Sequence, residues 1–381
     1  MFEITNQNKI TFIAVGDIGA FYQNSEKMFE QVETIFKKAD LCFGNNERLY
    51  SSNIDENFRM DRFPYFPQHV SPEHASALTI FDIMSFASNH SLDLGPEIML
   101  DTIKVLNNQG IKVIGAGKNI DEARKPAIFK NNSIKIGFLS YCSVVPIGSE
   151  ATKNKPGIVP LRASTWYEAY DWQPGTPPII RSKTNESDLD NLINDIKLLK
   201  KQVNFLVISM HWGIHFQRSS IAEYQKEIAH TAIDHGADII IGHHPHVIKG
   251  IELYKGKPIF YSLGNFAFDF PSNRMEMYLK NSKYLKLLRF YQLNPDLKWE
   301  KYARDPIERN SMIAKFTLNN KTIEEISLLP VTINKQAQPE TVKGNTAKFK
   351  SYLEELKLIS TFEELNVLYR TKGDEIIVLA K

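Results

Sequence analysis

A short apolar run at residues 239–241 is followed at once by three histidines, His243, His244 and His246. The run is β-branched, which indicates a buried strand. Side chains two residues apart share one side of an extended chain, so we expect His244 and His246 to converge and His243 to point away. Pro245 favours extended geometry at His244. Imidazoles just past a buried strand predict a metal site at the edge of a sheet.

Further polar residues follow other apolar runs, and together they form a mixed set of two carboxylates, one amide oxygen and three imidazoles: Asp17, Glu47, Asn89, His211, His244 and His246. This set suits one or two divalent ions such as Mn, Fe or Zn, and it is too rich in nitrogen for Ca or Mg. Two adjacent ions would need a bridging carboxylate. Taken singly, Asp17 could form a turn, Asn89 could cap a helix and His211 could bond to backbone. Six such residues at strand ends favour a common site.

His90 directly follows Asn89, so in extended chain its side chain points away from the ligand side. This placement favours a general acid, with Asp93 orienting the ring, while the alternative is an imidazole that caps the next helix. His215, four residues after His211, is a candidate for a residue behind the ligands. The remaining histidines fall outside these motifs, and we expect structural roles for them: His69, His74, His230 and His235.

The elements that must position these residues alternate between strands and helices. Strands are predicted at 10–15, 41–43, 81–87, 112–114, 134–141, 203–210, 239–241, 257–262 and 312–318. Helices are predicted at 25–38, from 71 onward, and at 95–109, 187–202, 221–235 and 345–370. We interpret 51–70 as a long loop over the site and 145–185 as an insertion near it. The alternation predicts an α/β fold with a largely parallel core, in one sheet or two stacked sheets, and ligands collect at the carboxyl ends of such strands.

Composition narrows the class of protein. The chain has 381 residues, of which 43% are hydrophobic and 24% charged, as is ordinary for soluble globular proteins. A net charge of +2 without a basic block argues against a nucleic-acid binder. Cys42 and Cys142 are expected to be buried thiols in a reducing compartment. The N-terminal residues do not have the pattern of a signal peptide and no apolar run approaches the length of a membrane span, so we expect a cytoplasmic protein.

The motifs as a set resemble the bacterial capsule-synthesis CapA family, which belongs to the calcineurin-like metallophosphoesterase superfamily. The resemblance covers about residues 10–340, and the sequences that carry it are GD at Asp17, NNE at Asn45 and Glu47, SNHSLD at Asn89, His90 and Asp93, HWG at His211, GHHPH at 242–246, and SLGNF at Asn265. It implies a metallophosphatase-like sandwich of two mixed β-sheets flanked by helices. We therefore predict a domain at 8–340, with the insertion at about 145–185, and a C-terminal helical extension at 341–381.

The resemblance also implies roles for these residues. Asp17 and His246 would hold one metal ion, and Asn89, His211 and His244 would hold a second. Glu47 would bridge the two ions, and His90 would lie beside the phosphoryl group, with Asn45, His215 and Asn265 behind the ligands or against the substrate. The chain departs from the superfamily pattern at three points: Gly19 stands where Asp-x-His has histidine, Glu47 replaces an aspartate bridge, and Asn46 replaces the leucine of Asn-Leu-Glu.

Two functions from different classes follow from this resemblance. The first is a metal-dependent phosphohydrolase acting on an anionic small molecule or polymer, in which His90 protonates the leaving group. The second is a non-catalytic accessory protein of poly-γ-glutamate or capsule synthesis that binds an anionic polymer. The missing histidine at Gly19 favours the second function, and the retention of Asn89, His90 and Asp93 favours the first. Neither function requires nucleic acid or a membrane span.

Overall fold

The computed structural model of the chain describes residues 9–53, 68–173 and 175–381. In chain order the strands are β1 (Ile10–Gly19), β2 (Leu41–Asn46), β3 (Leu49–Tyr50), β4 (His69–Val70), β5 (Ile83–Ser85), β6 (Lys112–Ile114), β7 (Ala116–Gly117), β8 (Ala127–Asn131), β9 (Ile134–Cys142), β10 (Gly157–Ile158), β11 (Ala163–Glu168), β12 (Ile179–Thr184), β13 (Phe205–His211), β14 (Ile239–His243), β15 (Ile251–Tyr254), β16 (Lys257–Phe260), β17 (Asn265–Phe268), β18 (Asn310–Leu318), β19 (Ile323–Ile333), β20 (Pro339–Thr341), β21 (Leu368–Lys372) and β22 (Glu375–Leu379). The α-helices are α1 (Glu33–Phe36), α2 (Gly95–Asn108), α3 (Ile120–Ala123), α4 (Glu186–Lys200), α5 (Glu223–Asp234), α6 (Ser272–Leu279), α7 (Ser282–Tyr291) and α8 (Ala347–Phe362). Short 3-10 helices lie at Ser25–Lys27, Pro72–Ile80 and Pro306–Arg309.

Two mixed sheets contain most of the strands. The larger sheet has ten strands in the order β21-β22-β19-β18-β1-β2-β5-β6, with β17 also paired to β1 and β20 to β19. Its β1, β2, β5 and β6 run parallel, whereas β18, β19, β22 and β21 pair antiparallel. The second sheet has the order β15-β16-β14-β13-β9-β8, with a parallel centre and antiparallel edges. The predicted α/β architecture of two mixed sheets with helices is confirmed.

Aromatic side chains fill the space between the two sheets. Phe12 and Phe43 from the ten-stranded sheet each lie with ring centroids 5.5 Å from Phe138 of the six-stranded sheet. Phe316 and Phe260 make a similar contact across the sheets at 5.7 Å. Such edge-to-face and stacked pairs add to the free energy gained by burying their surface. The sheets are thereby fixed face to face, which sets the distance between their carboxyl ends.

The strands that carry the predicted ligands end next to one another. In the larger sheet Asp17 of β1 is level with Asn45 of β2 on one side and with Asn265 of β17 on the other. In the smaller sheet His211 of β13 is level with His243 of β14. Because these strands pair in parallel, their carboxyl ends lie at the same edge of each sheet. Both sheets therefore deliver polar side chains to one end of the sandwich.

The helix predicted at 25–38 is wrong for most of its length. The chain forms one 3-10 turn at Ser25–Lys27 and a single turn of α-helix, α1. Phe29 and Phe36 both pack against Phe81, with centroids at 5.5 and 5.3 Å. Packing these rings around one partner overrides the helical spacing of the apolar residues. The helix predicted from 71 onward is a 3-10 helix, and the predicted loop at 51–70 lies largely outside the described residues.

Residues 341–381 contain the predicted helix, α8, but also a hairpin formed by β21 and β22. The β22 strand pairs with β19, so the hairpin extends the ten-stranded sheet and the prediction of a wholly helical extension is wrong. The predicted insertion at 145–185 contains an antiparallel ribbon of β11 and β12. The domain boundary at residue 340 stays a prediction. Within the described ranges, no helix is both long enough and apolar enough to cross a membrane.

Candidate metal centre

Asp17 and Glu47 form the acidic half of the site, and both are almost completely buried. The amide of Asn45 donates a hydrogen bond from Nδ2 to Asp17 Oδ1 at 2.9 Å. The backbone amide of His244 donates to Asp17 Oδ2 at 3.2 Å. Glu47 follows β2 directly, and its backbone amide is held by the carbonyl of Ile18 at 2.8 Å. The two carboxylates are thus fixed by backbone and amide contacts at the ends of adjacent parallel strands.

Three donor atoms surround Nε2 of His211. Asn89 Oδ1 lies at 2.7 Å, His244 Nδ1 at 3.2 Å and Glu47 Oε1 at 3.3 Å from this nitrogen. Ligands that share one ion at about 2.0–2.2 Å are separated from one another by distances of this order. The predicted ligands of one metal ion, Asn89, His211 and His244, are therefore brought together with the predicted bridging carboxylate.

A second and sparser group of donors surrounds His246. Its Nδ1 atom lies 3.5 Å from Asp17 Oδ2 and 3.9 Å from Glu47 Oε2. The two oxygens of Glu47 thus face different groups, Oε1 toward His211 and Oε2 toward His246. This arrangement has the shape that a bridging carboxylate requires. The structure brings all six predicted ligands to one place.

The backbone at the histidines is not extended, so the alternation argument for His243 was wrong. His244 and His246 have φ values of 94° and 59°, in the left-handed region. His243 belongs to β14 and is fully buried, and its Nδ1 lies 3.6 Å from Asp17 Oδ1. The His243 side chain therefore approaches the cluster instead of pointing away from it.

Burial sets the protonation of the cluster. Desolvation raises the pKa of Asp17 to about 7 and, together with the nearby Asp17 carboxylate, raises the pKa of Glu47 well above its usual range. Burial and the neighbouring histidines hold the pKa values of His211 and His244 well below normal. Neutral imidazoles are the form that binds a metal ion, and a positive ion would favour ionised carboxylates. The electrostatics of the cluster therefore match a cation.

Unpaired polar atoms provide a direct test of whether the residues fit a metal ion. Glu47 Oε1 and Asn45 Oδ1 are buried without a hydrogen-bond partner among the described residues. Asp17, Glu47 and His211 each offer one ligand atom, and these atoms all lie within 4.8 Å of one another. A buried carboxylate oxygen without a partner costs free energy unless a cation or water satisfies it. The residues fit a metal ion, and this group could hold one.

His90 and Asp93 lie beside the donors. His90 Nδ1 is 2.7 Å from Asp93 Oδ2, and this carboxylate raises the pKa of the imidazole against the opposite effect of burial. The Asp93 side chain is nearly buried, whereas His90 lines the cleft that opens onto the cluster. The pair has the geometry of a histidine that a carboxylate orients at the wall of the cleft. Its role as an acid remains a prediction.

The side chains of His215 and Asn265 contact the histidines of the donor groups. The His215 ring lies 3.8 Å from the His244 ring and 5.4 Å from the His246 ring, measured between centroids. Asn265 Oδ1 lies 2.8 Å from His246 Nδ1, and Asn265 Nδ2 donates to the hydroxyl of Tyr302 at 2.8 Å. A hydrogen bond of this kind fixes the orientation of the His246 ring beside the donor group.

Phe268 and Arg48 pack closely against the backbone of Gly19. A β-carbon at this position would lie 2.8 Å from the Phe268 ring and 3.0 Å from Arg48 Nε. The Arg48 guanidinium is fully buried, pairs with Asp269 at 2.7 Å and lies against the rings of Tyr22 and Phe268. A larger side chain at position 19 would require this packing to move, and Gly19 itself supplies no imidazole to the donor group around His246.

Sequence reasoning missed several residues of the cleft. Its wall includes Phe216, Phe268, Phe270, Tyr278, Tyr284, Leu287, Leu288, Leu293, Arg304 and Glu308. Most of them come from α6, α7 and the segment after them, where the sequence shows aromatic and basic residues but no motif after a strand. None of the described residues of the predicted insertion at 145–185 lines this cleft.

The other histidines and the cysteines are outside the cluster. His74 contacts Ser25 Oγ at 3.0 Å, His230 contacts Glu252 at 2.8 Å and His235 contacts the carbonyl of Thr231 at 2.8 Å. His69 belongs to β4. Cys42 and Cys142 are buried free thiols.

Comparison with known sequences identifies relatives of the chain. The sequence model of the family described as "Bacterial capsule synthesis protein PGA_cap" matches residues 5–270. The PGA biosynthesis protein CapA of Bacillus subtilis is 27% identical over 343 residues, which cover 89% of this chain and 73% of that protein. The capsule biosynthesis protein CapA of Bacillus anthracis is 27% identical over 270 residues, which cover 68% of this chain and 60% of that protein. A probable polyglutamine synthesis accessory protein of Mycobacterium tuberculosis is 28% identical over 61% of this chain and 56% of its own length.

Among solved structures, the chain is similar to the calcineurin-like phosphoesterase YfkN of Bacillus subtilis. The similarity covers 92% of this chain and 99% of that chain, with 11% sequence identity and a TM-score of 0.42.

Proposed function

The chain belongs to the bacterial capsule synthesis protein family PGA_cap, and we propose that it is a metal-dependent hydrolase of a phosphoester or a related anionic substrate. The observation that carries the proposal is the convergence of donor atoms around His211 Nε2, next to a buried Glu47 oxygen without a partner. This cluster opens onto a cleft lined by His90. Donors of one ion beside a histidine–carboxylate pair are the arrangement expected of metal-assisted hydrolysis.

Two divalent ions of Mn, Fe or Zn fit the proposal. Asn89, His211 and His244 would hold one ion and Asp17 and His246 the other, with Glu47 between them. When bound, such ions lower the pKa of water and polarise phosphoryl oxygens.

The residues around the cluster would hold the metal ligands and the general acid in position for the reaction. Asn45 holds the Asp17 carboxylate, and Asn265 orients the His246 ring. Asp93 contacts Nδ1 of His90, so the opposite nitrogen of that ring is the one that can give a proton to the leaving group. A general acid is most needed for alkyl esters, whose leaving groups are strong bases.

The proposal is tested by metal analysis together with an assay of phosphoester hydrolysis. We expect the purified protein to bind one to two equivalents of Mn, Fe or Zn, and to hydrolyse phosphoesters only when loaded. The His211→Ala variant should lose both metal and activity. Elemental analysis and calorimetry that detect no transition metal would remove the basis of the proposal.

A non-catalytic accessory function is the second candidate, in which the protein binds an anionic polymer such as poly-γ-glutamate. Gly19 favours it, because a glycine at this position supplies no imidazole to the donor group around His246. The name of the Bacillus subtilis relative refers to PGA biosynthesis, and that of the Mycobacterium relative to an accessory role in polyglutamine synthesis. Metal-loaded protein that is inert toward a broad phosphoester panel, yet binds poly-γ-glutamate in a pull-down or by calorimetry, would establish this function instead.

A further inference from the structure

Arg304 is the one arginine or lysine among the described residues that line the cleft. It lies outside residues 5–270, the part of the chain that matches the family. Its side chain is 13% exposed, so it is largely removed from water while still reaching the cleft surface. A guanidinium in this position beside a cluster of metal-ligating residues is suited to bind an anion.

The guanidinium of Arg304 is held in a fixed position. Its Nε donates to Glu308 Oε2 at 2.6 Å, and Nη2 also contacts this oxygen. It lies 5.1 Å from the Phe270 ring and 5.7 Å from the Phe216 ring, measured from Cζ to the centroids. Nη1 has no hydrogen-bond partner among the described residues. A preorganised arginine with a free donor loses little side-chain entropy when it binds a ligand.

The charge of Arg304 acts on the metal cluster. It opposes the rise in the pKa of Glu47, and it contributes to the lowered pKa values of His215 and His246. The guanidinium also lines the same small cleft as the donor residues Glu47, Asn89 and His246, so one anion in that cleft can contact both. Most of the remaining wall is apolar, including Phe216, Phe270 and Leu287.

We propose that Arg304 binds an oxygen of a tetrahedral oxyanion held at the metal cluster, and that the substituent of this oxyanion is small and apolar. The reaction of such a substrate rests on the proposed hydrolase function, but its binding does not. The volume of the cleft is about 50 Å³. A water molecule needs ~10–15 Å³ on such a scale and drug-sized ligands occupy ~300 Å³ or more, so the space suits one group of the size of a phosphonate.

Arg309 provides a matched control in the same segment. Its side chain is also 13% exposed, it pairs with Asp296 at 2.9 Å, and it stacks on Trp299 at 3.6 Å. Unlike Arg304, it does not line the cleft. If each arginine only stabilised the fold, substitution of Arg304 or of Arg309 would have a similar effect. If Arg304 binds an anion, only its substitution should weaken anion binding.

Calorimetry with ethylphosphonate tests the proposal, because this probe has an apolar substituent and is not hydrolysed. With Mn-loaded protein we expect Arg304→Gln to weaken ethylphosphonate binding at least tenfold at unchanged metal content, and Arg309→Gln to bind as wild type does. The probe 2-aminoethylphosphonate, which adds a charge at the substituent, should bind the wild type at least tenfold more weakly than ethylphosphonate. Equal affinity of the two probes would overturn the apolar part of the proposal.

If Arg304→Gln unfolds at a lower temperature, Arg304→Lys and Arg309→Lys are compared instead, and only the first should weaken binding, by at least threefold. Wild-type affinity in the Arg304 variants, or no binding of ethylphosphonate to the wild type, overturns the anion site. A protein that binds the probe through Arg304 but turns over no ester contradicts only the hydrolase proposal.

Discussion

At the scale of single residues, one substitution can distinguish the role of His90 as a general acid from that of a metal ligand. It contacts Asp93 and lines the cleft, while Asn89 next to it contacts His211. We expect His90→Ala to keep its metal content and to lose roughly 10²- to 10⁴-fold in turnover of alkyl phosphates, the usual contribution of a general acid. Nitrophenyl phosphate has a good leaving group and should be affected much less.

His230→Ala is the matched control, because His230 also pairs with a carboxylate, Glu252, outside the cleft. It should change neither metal content nor either rate. A His90→Ala protein without metal would make His90 a ligand, and equal losses on both substrates would remove its role as an acid.

The histidine pair at the end of β14 gives a second prediction. His244 Nδ1 lies 3.2 Å from His211 Nε2, within the denser donor group, whereas His243 reaches only Asp17, at 3.6 Å. We expect His244→Ala to lose more bound metal than His243→Ala, as measured by elemental analysis after dialysis. His243 fills a fully buried site, so its variant should lose stability instead. Equal metal contents in the two variants would contradict this assignment.

The sequence predicted the residues of the site that lie near strand ends, but not those that reach the site from other segments. All six predicted ligands converge because they lie within, at the end of or a few residues after strands whose carboxyl ends meet at one end of the sandwich. Arg304 was missed because it enters the cleft from a segment without a strand motif, and the direction of His243 was wrong because φ is positive at the next residue. The spacing of residues in the sequence predicts neither which distant segment reaches the cleft nor where the backbone adopts a positive φ.

At the scale of elements, the pairing of β1 with β17 depends on two glycines. A β-carbon on Gly16 would lie 1.8 Å from the carbonyl oxygen of Gly264, and that oxygen accepts a hydrogen bond from the amide of Asp17 at 3.0 Å. The close approach places Asp17 level with Asn265. We expect Gly16→Ala to destabilise the fold by about 3 kcal/mol or more, the upper range for overpacking, because backbone cannot move aside as a side chain can.

Thermal unfolding of Gly16→Ala measures this effect, and Gly175→Ala is its control, because a β-carbon there would meet no atom within 4 Å. The control should unfold within about 1 °C of the wild type, as surface substitutions usually do. A stable Gly16→Ala protein with normal metal content would show that the two strands can separate without disturbing Asp17.

The elements predicted well are those with short buried runs or long amphipathic patterns, such as β6 and α2. The elements that were not predicted depend on contacts with segments far away in the sequence. The β22 strand owes its state to pairing with β19, and the segment at 25–38 owes its turns to packing around Phe81. Because tertiary contacts decide these segments, local periodicity could not identify them.

At the scale of the whole molecule, the fold keeps two carboxylates and several imidazoles away from water. The two sheets are fixed by their aromatic core, and their carboxyl ends enclose Asp17 and Glu47 between them. Burying two acids close together is unfavourable, and among the described residues neither forms a salt bridge with a lysine or arginine, although the Arg304 charge partly opposes the rise in the pKa of Glu47. The stability of the molecule should therefore depend on what neutralises these acids, either protons or a bound cation.

This dependence gives a prediction for pH. Burial raises the pKa of Asp17 from 3.8 to about 7, so the metal-free folded protein keeps a proton that the unfolded chain releases above about pH 4. The free energy of unfolding contributed by this group is greatest below pH 4 and falls as the pH rises toward 7. A metal ion must displace that proton, whereas the imidazoles of His211 and His244 are already neutral because burial lowers their pKa values.

Metal binding should therefore stabilise the protein more at pH 8 than at pH 5.5. Competition by one proton with a pKa near 7 weakens metal binding by about 30-fold at pH 5.5, which corresponds to about 2 kcal/mol less stabilisation. Thermal unfolding with and without saturating Mn at the two pH values measures the difference. The His211→Ala variant, which lacks the centre of the denser donor group, should show little metal-induced shift at either pH. A wild-type shift that is equal at both values would mean that the carboxylates are already ionised before the metal binds.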